Sequence, residues 1–69
     1  MKEILINNVN KEVTIVVISP RDGQEKSITG HVGIINGIIG VFVDGRAQWS
    51  GRLDKADGFS EVISVTPVN

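Results

Sequence analysis

The chain has no cysteine, one histidine and one tryptophan. Without cysteine there is no disulfide, no thiolate metal site and no nucleophilic thiol, and no oxidising compartment is implied. A single histidine rules out a multi-histidine metal centre within one chain, so neither a metal nor a cofactor is expected. Charge of one sign is also lacking: seven Lys and Arg stand against eight Asp and Glu, a formal net charge of −1. The basic excess or stripe that usually marks a nucleic-acid-binding domain is missing. Long apolar runs are missing too. The opening MKEILINN is far too short for a secretory leader or a membrane span. A soluble, cytoplasmic protein with no membrane partner is expected.

Catalytic inventories are equally thin. No glycine-rich loop has P-loop or dinucleotide spacing. His31 lies among apolar strand residues, and no strand-turn-helix elbow surrounds any serine, so a Ser-His-Asp site is not indicated. Asp54 and Asp57 in DKADG lack the other ligands of a calcium loop and read as a solvated turn. The chain reads as no enzyme.

What is present is a β pattern. Sixty-nine residues make one domain, spanning 1–69, near the lower limit for a self-sufficient core. With disulfides and metals excluded, self-association is the remaining support for so small a core. The stretch SITGHVGIINGIIGVFVDG, Ser27 to Gly45, organises the rest. Asn36-Gly37 between two apolar runs is the strongest short-range hairpin signal, because both residues tolerate the φ > 0 of a type I′ turn. A loop of those two residues sets Ile35 against Ile38, Ile34 against Ile39, Gly33 against Gly40, Val32 against Val41 and His31 against Phe42. Alternation then places Val32, Ile34, Ile39, Val41 and Val43 on a core face. The second face carries His31, Gly33, Ile35, Ile38, Gly40 and Phe42, with a dent where the two glycines meet. Gly30, Gly33 and Gly40 are suited to bends at a barrel corner.

Around this hairpin the pattern predicts a short first strand at Glu3–Ile6 and a polar turn at Asn7, Asn8 and Asn10. A second strand, Glu12–Ser19, has apolar residues on both faces, as in a central strand, and stops at Pro20. Arg21–Lys26 reads as a charged connection, followed by strands Ile28–Ile35 and Ile38–Val43. Arg46–Ser50 is a short polar strand, Leu53–Phe59 a loop with room for one helical turn at Leu53–Ala56, and Glu61–Val65 a closing strand before Pro67. Turn signals recur at Asp22-Gly23, Asn36-Gly37, Asp44-Gly45, Ser50-Gly51 and Asp57-Gly58. The fold class is all-β: a small, strongly bent antiparallel barrel of five or six strands, SH3-like or Sm-like, with a largely aliphatic core.

Two groups are candidate contact residues. Ile35, Ile38 and Phe42 form an apolar patch on the second face of the hairpin, fit for a protein partner or a second copy. Arg46, Trp49 and Arg52 fall within RAQWSGR, and tryptophan and arginine are enriched at interface hot spots. The same trio suits single-stranded nucleic acid, the aromatic stacking a base while cations hold phosphate. The competing reading of Trp49 is a plug at one end of the core.

The run VTIVVI, DG, SITGHVGII, GVFVDG, EVISV resembles the small β-barrel pattern of the YolD-like proteins of bacteria and their phages, Sm-like in outline. The resemblance covers roughly Lys11 to Val65. It implies a small accessory or regulatory protein of the kind associated with error-prone repair polymerases. The wider Sm family binds RNA through a D-x-x-x-N loop between its second and third strands. The tight Asn36-Gly37 turn stands there instead, so no uridine pocket is carried over. The reading is a non-enzymatic binding module acting on a protein partner or on copies of itself, with nucleic-acid binding through Trp49 as the alternative.

Overall fold

A computed structural model describes residues 2–55 and 59–68. Helix α1, Lys2–Asn7, is followed by five strands: β1 Glu12–Ile18, β2 Glu25–Ile35, β3 Ile38–Val43, β4 Arg46–Arg52 and β5 Val62–Pro67. They form one sheet in the order β4-β3-β2-β1-β5, and every neighbouring pair is antiparallel. β4 and β5 are free edges, so the sheet is not closed into a barrel. No helix among the described residues is long and apolar enough to cross a membrane.

The hairpin register is the one the Asn-Gly turn requires. His31 faces Phe42, Val32 faces Val41, Gly33 faces Gly40, Ile34 faces Ile39 and Ile35 faces Ile38. Asn36 and Gly37 have φ of 52° and 77°, and Asp44 and Gly45 repeat the left-handed pair at 53° and 79°. Two successive tight turns therefore deliver β2, β3 and β4 as a meander. β1 is an interior strand, flanked by β2 and β5, with Val13 and Ile15 buried on one face and Val16 and Ile18 half-buried on the other. β2 starts earlier than the sequence suggests: Glu25 and Lys26 leave the charged connection to pair with Ile18 and Val17.

β2 changes partner at His31. Residues 25–31 pair with β1 and residues 31–35 pair with β3. At Gly30, next to this handover, a Cβ would run into the Phe42 carbonyl oxygen and lie 3.0 Å from Val43 Cγ2. Backbone approaches backbone here, and only glycine leaves room. With only α1 and the segment at Phe59 to help cover it among the described residues, the sheet buries its apolar face largely by curling over it. The core so enclosed contains Leu5, Val13, Ile15, Ile28, Val32, Ile39, Val41, Trp49, Phe59 and Val62.

Both edges carry a bulge. Between the Val41–Trp49 and Phe42–Ala47 pairs, Gln48 is an extra residue in β4. Between the Val16–Ser64 and Val17–Val62 pairs, Ile63 is an extra residue in β5. Bulges on edge strands increase local twist and blunt the edge against chance pairing.

Several expectations are corrected. Glu3–Ile6 is not a strand but lies within α1. Leu5 is fully buried while Ile4 and Ile6 remain 41% and 40% exposed, so one side chain of the apolar triplet serves the core. The helix ends on its own asparagines: the Asn8 side-chain amide donates to the Ile4 carbonyl at 2.7 Å, and Asn10 takes a φ of 68°. The chain then lies beside β2, with Asn10 N donating to Val32 O and Val32 N donating to Lys11 O. Leu53 and Asp54 form a turn rather than a helix, and Ala56, Asp57 and Gly58 lie outside the described residues. Ser50 and Gly51 lie inside β4, not at a turn. Ile34 is on the core face by register but is 41% exposed, because β1 stops pairing at His31 and does not reach the hairpin tip.

Gly30→Ala is expected to cost about 1–3 kcal/mol of unfolding free energy, seen as a lower urea midpoint at unchanged slope. An unchanged midpoint would mean that β2 moves away from the Phe42 carbonyl without penalty.

Candidate functional site

The second face of the hairpin is built by alternation from β2 and β3. Its dent is filled from within the molecule. A Cβ at Gly33 would lie 3.2 Å from Phe42 Cε1, and one at Gly40 would lie 3.3 Å from the same atom. The Phe42 ring thus spans the two facing glycines and is itself half-buried. An aromatic laid over cross-strand glycine replaces the packing that the missing side chains would supply. Phe42 serves the sheet first, and only its outer side is open to a partner.

Towards the tip the surface changes. Ile35 is 60% exposed, Ile38 44% and Ile34 41%. Ile35 and Ile38 form the last rung on the outer face, while Ile34 emerges on the opposite face. The turn therefore presents isoleucine on both of its sides, and Ile34 joins a group that face assignment alone would have left in the core. Exposed isoleucines clustered in this way mark an interaction surface more readily than single ones do.

β4 borders the tip. Arg52 pairs with Ile38, and Leu53 N donates to the Gly37 carbonyl at 2.9 Å, which ties the turn to the end of β4. The Arg52 guanidinium makes two bonds to the Asp54 carboxylate, from Nε at 3.1 Å and from Nη2 at 3.0 Å. Both partners are largely exposed, so this ion pair orients a polar rim more than it stabilises the fold. Asn36, Gly37, Ile38, Arg52, Leu53 and Asp54 line a shallow open depression beside the turn.

The structure does not gather RAQWSGR into one site. Arg46 pairs with Val43 at one end of β4 and Arg52 pairs with Ile38 at the other, about 20 Å apart at the rise of a strand. Trp49 points to the core, buried against Phe59 at a centroid distance of 5.6 Å, with its ring packed over Gly51. Neither face of the indole is open to a base. His31 is exposed on the outer face. Among the described residues, no group of three or more His, Cys, Asp or Glu side chains comes together. The contact candidates that the fold does bring together are Ile35, Ile38 and Arg52, with Ile34 added and Phe42 alongside.

No protein-family model, no curated protein and no solved structure matches the chain.

Two outcomes follow from this geometry. Phe42→Ala should lower stability by ~2 kcal/mol, less than a fully buried phenylalanine would cost, with a urea midpoint unchanged from wild type as the contrary result. Single-stranded oligonucleotides should leave Trp49 fluorescence unquenched even at low salt, and salt-sensitive quenching would show that the indole becomes accessible.

Proposed function

We propose that this chain is a non-enzymatic binding module that docks the tip of its β2–β3 hairpin against a protein surface, belonging either to another protein or to a second copy. The observation that carries the reading is the exposure of Ile34, Ile35 and Ile38 around one rigid turn. A two-residue turn fixes the three side chains with little entropy left to lose on docking. Covering them recovers about 1 kcal/mol each, since only part of each side chain is exposed. That sum makes the tip the apolar centre of a contact and not the whole of it. A stable interface covers ~800 Å² on each partner, which extends the contact onto the outer side of Phe42 and the Arg52–Asp54 rim.

On this reading the architecture is a small, strongly bent barrel of the SH3-like or Sm-like kind, left open between β4 and β5. The residue pattern shared with YolD-like proteins supports a small regulatory or accessory protein of a bacterium or phage.

Sedimentation equilibrium over a wide concentration range, on wild type and on Ile35→Asp/Ile38→Asp, tests the proposal. Association that the double variant abolishes, with circular dichroism and Trp49 emission unchanged, is the expected result. Association that survives the double variant would move the contact away from the tip. A monomer at every concentration would leave a different protein as the only occupant.

A further inference from the structure

The turn that presents the isoleucines is also the one Asn-Gly pair in the sequence. We propose that Asn36-Gly37 is a site of spontaneous deamidation, converting position 36 into an isoaspartyl or aspartyl residue as the protein ages. The Gly37 backbone nitrogen attacks Asn36 Cγ and ammonia leaves, closing a five-membered succinimide. Water then opens the ring at either carbonyl. Opening at the backbone carbonyl gives the isoaspartyl product, in which the chain runs through the former side chain.

Three features single out this pair. Asn36 is exposed and its successor has no side chain to shield the attacking nitrogen; a methyl group on Gly37 would touch nothing within 4 Å. The Gly37 N–H donates to no carbonyl or side chain among the described residues, so attack breaks no hydrogen bond of its own. Ring closure requires rotation about Asn36 ψ, which the Leu53 N–H bond to the Gly37 carbonyl and the adjoining rung resist. That rung is Ile35–Ile38, both exposed, and it can open without uncovering the core.

The other described asparagines lack this combination. Asn7 is held in α1 and followed by Asn8. Asn8 is buried, with its amide committed to the Ile4 carbonyl. Asn10 precedes Lys11, whose N–H is bonded to the Asn8 carbonyl at 2.9 Å. Asp44-Gly45 shares the turn geometry and Asp22-Gly23 only the glycine's positive φ, but an aspartate must expel water in place of ammonia and reacts more slowly.

An isoaspartyl residue lengthens the backbone of a two-residue loop and places a carboxylate among Ile34, Ile35 and Ile38. A longer loop no longer matches the type I′ geometry that sets the strand register. On the reading that the tip docks, the modified chain docks less well. The chemistry itself is independent of that reading.

The full chain is incubated in mildly alkaline buffer at physiological temperature, with a parallel sample in concentrated urea. Both are mapped by peptide mass spectrometry with fragmentation that separates isoaspartyl from aspartyl. The expected result is a gain of one mass unit confined to Asn36 in the folded sample, mostly isoaspartyl, at a rate that rises with hydroxide. No conversion of Asn36 in the folded chain after the urea sample has reacted fully would overturn the proposal, as would conversion spread equally over other asparagines. Because the readout is mass, failure of docking and failure of deamidation are told apart.

Discussion

The close approach of β2 to the Phe42 carbonyl at Gly30 is the constraint on which the remaining structure depends. A five-stranded sheet has one apolar face to hide, and the described residues include no second sheet and only a six-residue helix to hide it with. The sheet must cover itself. Gly30 permits this where β2 leaves β1 and takes up β3. Val13 and Ile15 from β1 then meet Ile39 and Val41 from β3, all fully buried. Leu5 and Phe59 join them from outside the sheet, and the Lys2 ammonium donates to the Leu53 carbonyl at 2.5 Å. Helix and turn are thereby held together across the molecule.

The two faces of the sheet divide the work unequally. The inner face is saturated. The outer face is economical: the Thr14 and Thr29 hydroxyls bond across β1 and β2 at 2.8 Å, Phe42 covers two glycines, and little apolar surface is left until the hairpin tip. Ile4 and Ile6 on α1 and Ile63 on β5 are also exposed, but Ile34, Ile35 and Ile38 cluster beyond the reach of β1, where the register puts apolar residues on both sides of one turn.

Much of this is legible in the residues. Asn36-Gly37 and Asp44-Gly45 dictate register, and alternation assigns Val32, Ile39 and Val41 to the core. What the sequence hides has identifiable causes. Ile4-Leu5-Ile6 has the composition of a strand, and six residues are too few for helical periodicity to show. Trp49 groups with Arg46 and Arg52 by proximity along the chain, whereas the strand alternates and Gln48 bulges, so the indole and the arginines are separated in space. Alternation puts Ile34 on the core face, but whether that face is covered at the tip depends on where β1 ends, which no local pattern records. Asn8 as the partner of the Ile4 carbonyl could have been suspected from an asparagine four residues on, the spacing of one helical turn.

The position of β1 carries a consequence for the order in which the fold assembles. β2, β3 and β4 each join the preceding strand through a short connection and can zip together locally. β5 cannot: Val17 must find Val62, and Val13 must find Pro67, so that rung closes a loop containing nearly the whole domain. Until it does, β1 is itself an edge, its unpaired backbone N–H and C=O groups open to any strand that arrives first. The growing chain is therefore most vulnerable to mispairing in the interval between the emergence of Val13 and the arrival of Val62.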